Sequence, residues 1–168
     1  MIDALIGEME QEAEATRRML EVVPTDKLGW KPHDKSLSLG QLALHVATVP
    51  GNVSEMMKVD RMERPDFGEF PSPDSAGELV GALSESLAGA KQNLLEFDDA
   101  SLMEMFTVVD GDNELMSMPK MAVARAIMLN HWYHHRGQLS VYLRMLDVSL
   151  PSVYGPTADE NPFAVANA

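Results

Sequence analysis

Three of the chain's five histidines fall in the stretch Asn130-His131-Trp132-Tyr133-His134-His135-Arg136-Gly137-Gln138-Leu139, inside an apolar, helix-favouring context. His131 and His135 are four apart, so on an α-helix they leave the same face with Cβ atoms about 6 Å apart, close enough for two imidazoles to share one ion. Two ligands make a weak site, and the best third is His45 in Leu42-Ala43-Leu44-His45-Val46-Ala47, a lone imidazole in another apolar helical run. The expected chemistry is a three-histidine metal site with coordination positions left for water or substrate. A histidine at position 45 alone would read as a core residue with its nitrogens satisfied by neighbours; the His131/His135 pair turns it into a ligand candidate. His33, in a loop beside Asp34 with no second ligand at useful spacing, reads as a solvated side chain.

The elements that must position these residues follow from periodicity. Ile2 to Val23 carries apolar residues at three-and-four spacing and is the first helix, stopped by Pro24. Thr25 to Lys35 is a connecting loop in which Trp30 anchors on the core. Ser38 and Gln41 form a capping box that opens a second helix with His45 facing inward. Pro50-Gly51 predicts a kink or break there, because proline lacks an N–H and clashes with the carbonyl four residues back, that of Val46. Lys58 to Pro73, rich in charge, proline and turn residues, reads as a long loop. Ser75 with Glu78 opens a third helix that runs to Phe97. Glu104–Val109 and Glu114–Met118, around the turn Asp110-Gly111-Asp112-Asn113, predict a short β-hairpin.

Ser117 as cap and Pro119 in the first turn start the longest helix, to about Asp147. On it Ala124, Ile127, Met128, His131, His135, Gln138 and Tyr142 share a stripe, and Gly137 predicts a close approach of a neighbour. The tail from Ser149 to Thr157 has the turn chemistry of an ordered, irregular segment, and Asn161 to Ala168 is expected to fray. The helix count makes this an all-α chain, a single four-helix-bundle domain over residues 1–168 with a small hairpin before the last long helix and the metal between helices two and four.

Composition narrows the functions. A chain of 168 residues can bury about two-thirds of its unfolded surface without a staple. The chain has no cysteine, so a metal must be held by nitrogen and oxygen, and thiol chemistry requires a thiol from outside. The formal charge of −13 repels phosphate backbones and anionic lipid, so neither nucleic acid nor membrane is an expected partner. The acidic, amphipathic start lacks the pattern of a secretory signal, and a cytoplasmic location is expected.

These residues resemble the DinB/YfiT-like superfamily of four-helix metalloproteins. The likeness is carried by Gly29-Trp30-Lys31-Pro32 leading to Ser36-Leu37-Ser38-Leu39-Gly40-Gln41-Leu42 and His45, by the long middle helix, by His131-Trp132-Tyr133-His134-His135-Arg136-Gly137-Gln138-Leu139, and by Tyr154-Gly155-Pro156. The resemblance implies His45, His131 and His135 as metal ligands, the trio that spacing selects, with His134 left to packing or to support of the ligands. It implies a homodimer acting on a small-molecule substrate. It also implies an enzyme that uses a low-molecular-weight thiol such as bacillithiol, mycothiol or glutathione, and hence a metal-dependent thiol S-transferase. A metal-dependent hydrolase and a non-catalytic, stress-associated metal- or ligand-binding protein are the alternatives. Zinc or nickel is the expected ion, with iron possible, since imidazole suits all of them. The general base is unassigned; Tyr154, Asp159 and Glu160 are the groups the tail offers.

Overall fold

The computed structural model describes residues 1–164 other than Phe67. Helix α1 spans Ile2–Glu21 and buries Ile2, Leu5, Ile6, Met9, Met19 and Leu20 along one side. After a 3-10 turn at Thr25–Lys27, α2 spans Leu39–Met56. Ser38 caps it as predicted: its hydroxyl accepts from the Gln41 N–H, and the Gln41 side chain accepts from the Ser38 N–H. Helix α3, Glu78–Leu95, packs against both α1 and α2. Its capping box is only half formed, since Glu78 accepts from the Ser75 N–H while the Ser75 hydroxyl turns to the Gly77 N–H. In the loop after α1, Leu28 is the buried anchor, and Trp30 is half-buried with its ring edge-on to Tyr142 at 5.7 Å. His33 is exposed, its Nδ1 accepting from the Lys35 N–H, in keeping with a solvated loop residue.

The expected hairpin is part of a larger sheet. Strands β2 (Met105–Asp110) and β3 (Asn113–Pro119) pair antiparallel around Gly111, whose φ of +59° suits a residue without a Cβ. A third strand, β1 (Arg61–Glu63), pairs parallel to β2 with Met62 opposite Val108, so the sheet is mixed, in the order β1-β2-β3. This corrects both the hairpin and the reading of Lys58–Pro73 as loop throughout. A three-residue strand with charged residues at both ends has no apolar alternation to betray it. It exists because β2 offers it an edge, with Thr107 N–H donating to Asp60 at 2.8 Å and Arg64 N–H to Val109 at 2.7 Å.

The last helical stretch is also corrected. Pro119 ends β3 rather than entering the helix, and Ser117 sits in the sheet with its hydroxyl 3.0 Å from that of Thr107, so it caps nothing. Helix α4 covers Lys120–Val123, a π-helical segment covers Ala124–Asn130, and α5 covers His131–Met145. The wider π turn rotates α5 about its axis, so the face buried by α5 is Trp132, Arg136, Leu139 and Leu143, while His131 and His135 lie beside it, half-buried. A Cβ on Gly137 would meet nothing within 4 Å, so no close approach explains that glycine.

Helix α2 runs through Pro50 without the predicted break. The Val46 carbonyl, which a proline four residues on cannot serve, accepts instead from the indole N–H of Trp132 at 2.8 Å. The next residue, Gly51, donates its N–H to the Ser86 hydroxyl of α3 at 2.8 Å, and a Cβ there would lie 3.1 Å from both the Cα and the carbonyl oxygen of Ser86. Gly51→Ala is therefore expected to force α2 and α3 apart and to cost about 1–3 kcal/mol; urea denaturation measures it, and an unchanged midpoint would refute the contact.

The tail from Ser149 is docked on the bundle. Arg18 donates to the Ser152 carbonyl and pairs with Glu160, and Arg144 pairs with Asp159. Tyr154 bonds Glu12 and the buried Arg136. Asn161 to Ala164 close a turn through Ala164 N–H to the Asn161 carbonyl, and the remaining residues expected to fray lie outside those described. Among the described residues no helix is long and apolar enough to cross a membrane.

Candidate metal centre

His45 comes from the middle of α2, and His131 and His135 from the first two turns of α5. The three imidazoles meet where these helices pack, and one nitrogen from each lies within 4.8 Å of the others. The Nε2 atoms of His45 and His131 are 3.0 Å apart. Two nitrogens each about 2.1 Å from one ion stand about 3.0 Å apart at a right angle and about 3.4 Å apart at the tetrahedral angle, so this pair already has the spacing that a shared ion requires. The ring of His135 lies 4.6 Å from that of His45 and 4.3 Å from that of His131, centre to centre. His135 Nδ1 is taken by the Gln138 side-chain oxygen at 2.8 Å, which leaves Nε2 for a metal. The Gln138 amide nitrogen sits 2.9 Å from His134 Nε2, so His134 supports the trio through Gln138. A hydrogen bond of this kind to the far nitrogen of a ligand fixes its tautomer and ring plane.

Two further contacts set the positions of the ligands. The Trp132–Val46 hydrogen bond joins the residues that directly follow His131 and His45 in the chain, bracing α5 on α2 at the level of the site. Phe70 lies edge-on to His45 at 5.5 Å, and its carbonyl accepts from the Gln41 amide at 2.9 Å. Gln41 thus serves twice, capping α2 with its oxygen and holding the loop over His45 with its nitrogen. The capping box was visible in the sequence, whereas the second bond depends on a residue 29 positions away. The one hint of the Trp132 brace was Pro50, which leaves a carbonyl in need of a donor.

Burial is the first cause that pushes the three imidazoles toward the neutral form. His45 is lowered from 6.5 to about 4, chiefly by desolvation and then by the facing His135 and His131. His131 is lowered by burial and then by His135 and His134. His135 is also lowered by burial, with Gln138 opposing the shift. Neutral imidazole is the form that ligates. Because these values fall below those of the unfolded chain, the unfolded state takes up more protons as pH drops below 6.5, and the metal-free protein loses stability from there toward about pH 4. Denaturation at pH 7, 5.5 and 4.5, with a His45→Gln, His131→Gln, His135→Gln variant alongside, is expected to show a shallower acid loss in the variant. Parallel curves would remove the histidines from the pH response.

A cleft of about 920 Å³ opens from the site, with His45 and His131 in its wall. It runs between α2 and the sheet, with Arg64, Pro65, Asp66, Glu69, Phe70 and Pro71 also in its wall. Tyr154, Asp159 and Glu160 do not line it and are engaged in docking the tail.

Fold and site together define a helical bundle that presents a cluster of histidines from two facing helices beside a small-molecule-sized cleft. The chain belongs to the DinB family, whose model matches residues 1–162. It is similar to a DinB-like protein from Bacillus cereus ATCC 10987, with a TM-score of 0.70 and 22% identity over 90% of this chain and 97% of that one. It is also similar to the DinB-like protein YjoA from Bacillus subtilis, with a TM-score of 0.65 and 18% identity over 89% and 96%. In sequence it is 24% identical over 160 residues to the uncharacterized protein YrdA of Bacillus subtilis strain 168, covering 95% of this chain and 91% of that protein.

Proposed function

We propose that His45, His131 and His135 hold a divalent transition metal, zinc or nickel before iron, and that the protein is a metal-dependent transferase using a low-molecular-weight thiol on a small electrophilic substrate. The observation that carries this reading is the convergence of three imidazoles, each shifted toward its neutral form by burial, two of which, His45 and His131, stand in the wall of a cleft. Three neutral ligands leave the full charge of the ion uncompensated and leave coordination positions free, which is the donor set of a catalytic rather than a closed structural site. When bound, such an ion supplies the positive charge that keeps a thiol ionised near neutrality.

The rest of the work falls to the chain. Gln138 holds the His135 ring with Nε2 toward the site, the Trp132–Val46 bond keeps His131 and His45 at their separation, and Phe70 covers one side of His45. The absence of cysteine accords with a thiol brought from outside. A homodimer in the cytoplasm completes the proposal; light scattering would read the assembly.

The test is thiol dependence. Zinc- or nickel-loaded protein is offered an electrophile such as 1-chloro-2,4-dinitrobenzene with bacillithiol, mycothiol or glutathione. Turnover above the uncatalysed rate with at least one thiol, lost in the His131→Ala variant, supports transfer. Equal ester or amide cleavage with and without thiol would instead make the protein a hydrolase.

A further inference from the structure

The cleft beside the histidines has a chemistry of its own that names the body of the substrate. From α2 its walls present Val53 and Met56, from the sheet Met62, Val108 and Met116, and from the π segment Ile127. Its volume of about 920 Å³ falls within the range of pockets that enclose a small organic molecule. At the His45 end its wall is fastened by the hydrogen bond from the Gln41 amide to the Phe70 carbonyl. Methionine side chains adapt to varied apolar shapes because they are unbranched and polarizable.

The charges around the rim disfavour an anionic substrate body in the cleft. Among the described residues of the lining, Arg64 is the only cation, and it faces Asp110 at 3.5 Å. Glu55, Asp66 and Glu69 are the other ionisable groups there apart from the two histidines. An anionic body lying along the cleft would meet these carboxylates with Arg64, already facing Asp110, as the one cationic side chain among the described lining residues.

We infer that the cleft takes the apolar, uncharged body of a substrate whose reacting group is held at His45 and His131. The electrophilic substrate, as distinct from the thiol, is a neutral hydrocarbon- or aryl-bearing molecule rather than a phosphate or carboxylate. This rests on the metal-site reading for the position of the reacting group but not for the occupancy of the cleft.

Two measurements on the full chain separate those parts. First, the neutral fluorophore N-phenyl-1-naphthylamine is titrated into metal-free protein. Saturable binding is expected, weakened at least tenfold by Met116→Asp and by Leu115→Asp, a cleft residue that is 52% exposed and so tolerates the change without unfolding. Binding that both variants leave intact would overturn the assignment of the cleft. Second, cobalt-loaded protein is titrated with 1-methyl-, 1-butyl-, 1-hexyl- and 1-octylimidazole and followed by the visible spectrum of the ion. The Kd is expected to fall by about fourfold per added methylene until the cleft is filled. A flat series with cobalt bound would overturn the inference while leaving the metal site standing. Failure to bind cobalt, with the fluorophore still seated and displaced by Met116→Asp, would overturn the metal reading and uphold the apolar cleft.

Discussion

Replacing His131 by alanine is expected to weaken zinc or nickel binding by more than about 100-fold while leaving the helical content unchanged. Loss of a supporting hydrogen bond to a ligand typically costs roughly 10–100-fold in metal affinity, and loss of the ligand itself must exceed that. His131 is half-buried beside the core face of α5, so alanine there opens no large cavity and removes an imidazole whose burial already disfavours its charged form. Competition with a chromophoric chelator reads the affinity and circular dichroism the fold. His45→Ala and His135→Ala should behave alike. Gln138→Ala should fall between them and wild type, because it loses only the bond that orients His135. His33→Ala should change nothing, since that side chain is exposed and bonds only its own loop. Equal metal content in His131→Ala and wild type would sink the assignment.

Replacing Trp132 by phenylalanine is expected to cost about 1–3 kcal/mol for the carbonyl left without a donor, in addition to the loss from the smaller side chain. The reason lies in two residues far apart in sequence. Pro50 cannot serve the Val46 carbonyl, and the Trp132 indole does so at 2.8 Å within the core. A double-mutant cycle tests the pairing directly. With Pro50→Ala in place, an N–H at position 50 can close the ordinary helical bond to Val46, so Trp132→Phe should cost at least about 1 kcal/mol less in that background. Additive costs would mean that the two residues do not share the carbonyl. Because Val46 follows His45 and Trp132 follows His131, the single variant should also bind metal more weakly than the double variant. A change in stability without that ordering in affinity would confine the brace to folding.

Much of the candidate site was legible in the sequence. The four-residue spacing of His131 and His135 puts both on one side of a helix wherever that helix lies, and the capping box at Ser38 and Gln41 starts α2 at a point that carries His45 inward. Both are consequences of local geometry, which a sequence states directly. The absence of cysteine determined the type of ligand in the same way, and the charge of −13 argued against polyanionic partners.

What only the tertiary structure decided are the contacts between segments distant in the chain. Strand β1 has no pattern of its own and forms because β2 offers unpaired backbone groups, so local composition read it as loop. The π segment shifts the buried face of the last helix onto Trp132 and Arg136, although a 3.6-residue repeat would have made His131 and His135 core positions. Helix α2 crosses Pro50 intact because a tryptophan 82 positions further along the sequence supplies the missing donor. The same packing shapes the apolar cleft and brings the third imidazole to the other two. Periodicity reports which side of an element faces inward; which partner it meets there depends on how the elements satisfy one another's unpaired groups, and that is settled only when they pack.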